Sequence, residues 1–198
     1  HRRGDGDLAR ASNAGRIAGE AVLEDLVLLA RGLLDLFQLT GAPAHLAWAD
    51  ELVATIGARF ARDAGAWYTT AASAAPPLGR RVDVFDNVIP SGCSAMLDVL
   101  LTHGALTGDP EAAGRVRREL AQQAAQLPRA GLEMAGWLDA ALRLDGPLHE
   151  VVVAGEAGDA RFGALWRAAA ATLAPGVVVA PAAAAGPGDE LAAVARTL

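Results

Sequence analysis

A chain of 198 residues with 53% hydrophobic content is long enough to bury a core and too rich in Leu, Val and Ala to stay disordered. Its formal net charge of −6, with no basic stripe interleaved with aromatics, argues against nucleic acid as a partner, because that binding depends on Lys and Arg neutralising phosphates. A single Cys excludes an internal disulfide and a Cys-based zinc cluster and makes a reducing, cytoplasmic compartment the default, while no apolar run reaches the roughly 18 residues of a membrane span.

The first residues, His1-Arg2-Arg3-Gly4-Asp5-Gly6-Asp7, are polar, broken by Gly and begin without Met, which reads as the interior of a longer protein. Residues 1–13 are expected to be a polar lead-in. From Ala14 to Leu39 the apolar residues follow a helical period on more than one face, which predicts one long helix buried between neighbours. Gly41 stops it, and Pro43 at a first-turn position opens a second helix with the stripe Leu46, Ala49, Leu52, Val53, Ile56 and Phe60. So short a joint predicts an antiparallel hairpin. Asp63 to Ala66 then turn the chain into a short extended piece, Trp67-Tyr68-Thr69-Thr70, and residues 71–79, with Pro76-Pro77, read as a loop.

The stretch from Arg81 to Ser94 packs two Asp, an Asn, two Ser, the only Cys, a Pro and a Gly into fourteen residues and runs straight into the helical pattern of residues 94–106. Pro90 biases Ile89 away from helical angles, and Ser91 or Ser94 is placed to cap the free N–H groups of the helix start. Gly108 ends that helix, and Asp109 followed by Pro110 predicts a cap and first turn of another, running to about Gln126. Thr40-Gly41-Ala42-Pro43 and Thr107-Gly108-Asp109-Pro110 look like one turn used twice, the mark of a helical-hairpin repeat. A third helix is expected from about Arg129 to Leu142, with Leu132, Met134, Ala135, Leu138 and Leu142 inward. The pattern then changes to a strand at His149–Gly155, a helix at Ala160–Leu173 and a strand at Val177–Val179, a parallel strand-helix-strand unit. Residues 182–188 read as a loop before a last helix from Glu190 to Arg196. The run Ala154-Gly155-Glu156-Ala157-Gly158 lacks the full glycine pattern and the Lys of a phosphate loop and reads as a tight turn.

Asp86-Asn87-Val88-Ile89-Pro90-Ser91-Gly92-Cys93-Ser94, followed by Leu106-Thr107-Gly108-Asp109-Pro110, resembles the C-terminal part of the YyaL-like thioredoxin-domain-containing proteins, the family that includes spermatogenesis-associated protein 20. Leu23-Glu24-Asp25, Gly32-Leu33-Leu34-Asp35-Leu36-Phe37 and Ala66-Trp67-Tyr68-Thr69-Thr70 fall in the same order and spacing, so the similarity spans roughly residues 15–180. Two positions depart from it: Leu26 stands where the family has Tyr, and Cys93 where it has Asn. The resemblance implies a mainly α fold, a partial (α/α) six-hairpin toroid at residues 14–147 with a small α/β unit at residues 148–198. It also implies contacts with an N-terminal thioredoxin-like domain and further hairpins outside this sequence.

Within that frame Asp25, a carboxylate inside an apolar helical pattern, and Asp86, just ahead of a helix start, are the candidate catalytic pair, one protonated and one ionised as in glycoside hydrolysis. Each also has a plainer reading: Asp25 as part of an acidic stripe with Glu20 and Glu24, Asp86 as a charge favoured by the helix dipole. Asn87 and Ser91 are candidates to hold ligand hydroxyls, and Trp67 and Tyr68 to stack on sugar rings, though such a pair is more often core. Cys93 at a helix start would have a lowered pKa, yet no base lies near it in sequence. No His pair or Cys/His cluster points to a metal, and no cofactor motif is present. Two functions follow: a toroid that binds or processes a carbohydrate or other small polar ligand, and a non-catalytic interaction scaffold attached to a thioredoxin-like domain.

Overall fold

The computed structural model describes residues 8–74, 76–156, 158–172 and 176–183 and is mainly helical, with a short strand pair towards each end. The sequence expectation fails first at the start. Residues 9–20 are an antiparallel hairpin, β1 (Ala9–Asn13) and β2 (Arg16–Glu20), rather than lead-in and opening helical turns. The turn supplies the reason: Ala14 (φ 48°) and Gly15 (φ 77°) both hold left-handed angles, the two-residue geometry that matches strand twist and that a helix cannot contain. Ile17, counted as helical, lies exposed on β2.

The two expected helical hairpins are present. The first joins α1 (Leu23–Thr40) to α2 (Pro43–Arg59). Gly41, at φ 68°, takes the left-handed position that ends α1 and donates its N–H to the Phe37 carbonyl at 2.7 Å. Their buried faces are Leu23, Leu26, Val27, Ala30, Leu33, Leu34 and Phe37 on α1, with Ala49, Leu52, Ile56 and the following Phe60 from α2. The second hairpin joins α3 (Gly92–Thr107) to α4 (Ala112–Gln123), and Gly108 (φ 71°) repeats the role of Gly41. Here α4 begins later than the Asp-Pro signal suggests. Asp109 accepts the Glu111 N–H on its carboxylate (2.9 Å) and the Ala112 N–H on its carbonyl (3.3 Å), inserting a turn before the helix. The Glu111 N–H and then the Arg115 guanidinium hold the Asp109 carboxyl below the usual range.

The helix expected from Arg129 to Leu142 is broken into α5 (Leu127–Ala130), a 3-10 turn (Gly131–Met134) and α6 (Ala135–Asp145). Gly131, at φ 56° and ψ −122°, holds a conformation that side chains disfavour and that no helix propagates. The break resets the helical phase. Leu132 is 88% exposed and Leu142 72% exposed, Ala135 and Leu138 also face out, and Met134 is inward as expected, joined by Trp137 and Ala140.

Two levels of contact fix how the helices are arranged. At the first, a Cβ on Gly92 would come within 2.7 Å of the Leu23 side chain, and one on Gly136 within 2.9 Å of Ser94. About two turns further along each helix, Arg31, Asp98 and Arg143 meet, with Arg31–Asp98 at 3.3 Å. Helices α1, α3 and α6 therefore run side by side in one direction, and α2 and α4 return behind them. Helix α3 is the centre of this row and is buried along almost its whole length.

The C-terminal unit has the expected order, β3 (His149–Gly155), α7 (Ala160–Ala170) and β4 (Val177–Ala183), with a shorter helix and a longer second strand than expected and the strands parallel from His149↔Val177 to Gly155↔Ala183. It docks on the far end of α1. The Trp166 indole donates to the Leu39 carbonyl (3.0 Å), an orphan acceptor of the last helical turn, and the Val179 N–H donates to Gln38 Oε1 (3.1 Å). Residues 182 and 183 belong to β4 rather than to a loop; residues 184–188 and the expected helix from Glu190 to Arg196 lie outside the described residues.

The closeness of α1 and α3 depends on the missing side chain at Gly92. Gly92→Ala should lower stability by about 1–3 kcal/mol, since Leu23 is fully buried and has no room to yield; urea denaturation of the two proteins measures it.

Candidate functional site

The parallel row places the N-terminal ends of α1, α3 and α6 at one end of the domain, and the segments 66–71 and 80–90 are strapped across them. Main-chain bonds hold the strap: Leu23 N–H to Thr69 carbonyl (2.9 Å), Thr69 N–H to Arg81 carbonyl (2.8 Å) and Asp86 N–H to Glu133 carbonyl (2.7 Å). Side chains complete it. The Trp137 indole donates to the Val84 carbonyl (2.8 Å), and Arg80 donates to the Thr70 and Arg59 carbonyls while its guanidinium lies 4.0 Å from the centre of the Tyr68 ring.

Asp86 is the hub of this end. Its Oδ1 accepts the Ser91 N–H (2.9 Å) and the Ser94 hydroxyl (2.5 Å), and its Oδ2 accepts the Gly136 N–H (2.7 Å). Ser91 is the cap of α3: its hydroxyl accepts the Ser94 N–H at 3.1 Å and donates to the Ser94 hydroxyl at 3.1 Å. The carboxylate thus joins the starts of α3 and α6. Gly136 is part of the device, because a Cβ there would meet Ser94 at 2.9 Å and Asp86 Oδ2 at 3.3 Å.

Asp25 lies at the same end, in the first turn of α1, and its Oδ2 accepts the Val22 N–H at 3.0 Å. This is half of a capping box; Val22 has no side-chain oxygen to complete it, and its carbonyl accepts the Asp25 N–H at 3.1 Å instead. Among the described residues no hydrogen bond links Asp25 to Asp86. Asn87 is exposed, and its Oδ1 accepts the N–H of the next residue, Val88, at 3.0 Å. Trp67 is buried and Tyr68 half-buried, with one ring face occupied by Arg80.

Cys93 departs from its sequence reading. The helix start does not activate it: burial, with the Glu119, Asp83 and Glu24 carboxylates adding to it, pushes the thiol up to about 12, and its S–H donates to the Trp67 carbonyl at 3.4 Å. His103, also buried, pairs its Nε2 with Asp50 on α2 at 3.1 Å, far from the thiol along α3. No group of His, Cys, Asp and Glu suited to a metal ion occurs among the described residues, and no helix among them is long and apolar enough to cross a membrane.

A concavity lies elsewhere, lined by neither Asp25 nor Asp86. Between α2 and α4, floored by Met96 and Leu100 of α3, lies a cleft of about 430 Å³ bordered by Trp67, Arg62, Arg115, Arg118 and Glu119. Only the helical spacing of Arg115 and Arg118 was legible beforehand; that Arg62 faces them across a gap requires the packing of two hairpins. Neither a scan against known protein families nor a comparison with curated proteins gave a match.

Two measurements test this site. Asp86→Asn keeps the shape but turns an amide N–H₂ towards backbone donors, so a loss of about 1–3 kcal/mol is expected in thermal or urea unfolding, whereas an unchanged midpoint would show that the bonds carry no stability. Cys93, almost wholly protonated at neutral pH, should resist iodoacetamide in the native protein and react promptly once denaturant is added, as read by mass spectrometry.

Proposed function

We propose that this chain is a non-catalytic helical-hairpin module, the C-terminal part of an (α/α) toroid in a YyaL-like thioredoxin-domain-containing protein, whose work is to present surface to other parts of that protein. The observation that carries the reading is the use made of Asp86: three donors from the starts of two helices converge on its two oxygens. A general acid or base needs an oxygen within reach of the reacting group. Asp86 faces its own backbone, and Asp25 caps its own helix. The alternative, a carbohydrate-processing pocket on this carboxylate pair, has less support.

The surface available for packing is on the flanks of the row. Helix α6 exposes Leu138 and Leu142, and α1 exposes Leu28, Leu36 and Leu39. In a toroid these flanks are where the next hairpins pack, and the parallel run of α1, α3 and α6 with α2 and α4 behind them is the layout such a ring repeats. Large apolar side chains left in water favour association.

Sedimentation velocity tests the proposal. The chain should associate as concentration rises, and Leu138→Glu with Leu142→Glu should abolish that without lowering the unfolding midpoint. A chain that stays monomeric throughout would overturn the packing role. Glycan binding or cleavage that disappears in Asp25→Asn and Asp86→Asn variants that remain folded would restore the carbohydrate reading.

A further inference from the structure

We infer that the cleft between α2 and α4 is a binding site for a small molecule that carries a carboxylate or phosphate on an apolar body. The cleft is built entirely by the two hairpins and the 61–67 turn, so the inference stands independently of the function proposed above. Its volume, about 430 Å³, is within the usual range for small-ligand pockets, and it exists because small residues, Ala54, Gly57 and Ala61, line it where larger ones would fill it.

The charge at its border is one-sided. Arg62 approaches from the turn after α2, and Arg115 and Arg118 stand three residues apart on one face of α4. The single acid of the lining, Glu119, already accepts the Ala66 N–H at 2.7 Å. Arg115 binds Asp109 through one terminal nitrogen, yet its Nε is buried with no acceptor. Among the described residues the side chains of Arg62 and Arg118 make no hydrogen bond or ion pair. A chain of net charge −6 thus gathers three guanidinium groups around one concavity. Guanidinium forks match planar and tetrahedral oxyanions and bind them with charge-assisted hydrogen bonds. Below them Met96, Leu100, Val53 and Trp67 offer an apolar floor and wall, which suits a ligand with one charged end and a hydrocarbon or aromatic remainder.

The test is calorimetric titration of the full 198-residue chain with octanoate, phenyl phosphate, inorganic phosphate and benzyl alcohol. Octanoate or phenyl phosphate should bind, more tightly than either the bare ion or the neutral alcohol. Arg62→Gln combined with Arg118→Gln should weaken that binding about tenfold or more, the loss of one or two charged hydrogen bonds, at an unchanged unfolding midpoint. Gly57→Leu should block the cleft without disturbing α2, since nothing lies within 4 Å of a Cβ at that exposed helical position. Carboxylate binding without phosphate binding, or the reverse, identifies which oxyanion the site takes. The inference is overturned if neither amphiphile binds at millimolar concentration, if the double variant or Gly57→Leu binds as the parent does, or if benzyl alcohol or inorganic phosphate binds equally well.

Discussion

The architecture depends on one carboxylate tying together the heads of two helices. Asp86 sits in an extended strap rather than in a helix, and so it can accept from Ser91 and Ser94 on one side and Gly136 on the other. Helix starts carry unsatisfied N–H groups, and burying two of them side by side is costly unless each finds an acceptor. A single side chain that serves both fixes their spacing and direction at once. The remaining strap bonds, from Trp137 to Val84 and from Asp86 N–H to Glu133, hold that side chain in place.

Away from the strap the domain is held by apolar contact and by glycines that permit it. Gly92 lets α1 and α3 touch, Gly104 lets α3 and α4 touch against Ala112, and Gly136 lets α6 approach the serines. The alanine richness of the chain belongs to the same design, because close helices need small residues at their crossings. The Arg31–Asp98–Arg143 group, with Thr102 accepting from Arg143 at 3.0 Å, ties the middle of the same row.

The hairpins were legible because their punctuation is local: Gly41 with Pro43, Gly108, and Ser91 after Pro90 each act within a turn of where they stand. The strand-helix-strand unit was legible from its β-branched runs. A helical period does not by itself make a helix: residues 14–20 hold such a period, and the left-handed pair Ala14-Gly15 overrules it. Gly131 likewise shifted the phase of the helix, so four of the five expected inward residues face water and only Met134 is buried. The candidate site was half legible. Ser91 as a cap follows from its neighbours, but that Asp86 reaches Gly136, fifty residues away, is a fact of packing alone. Cys93 stands where the resemblance expects Asn, and its thiol is the donor that the Trp67 carbonyl meets.

Three helices pointing the same way also stack their peptide dipoles, and the positive ends accumulate where the strap lies. Asp25 and Asp86, with Glu24 in the same first turn of α1, are the negative charges that this end calls for. A row of co-directed helices will therefore collect carboxylates at its head for purely electrostatic reasons, and in any ring built on that plan the acids around the rim need a geometric criterion, what each oxygen faces, before any of them is assigned to chemistry.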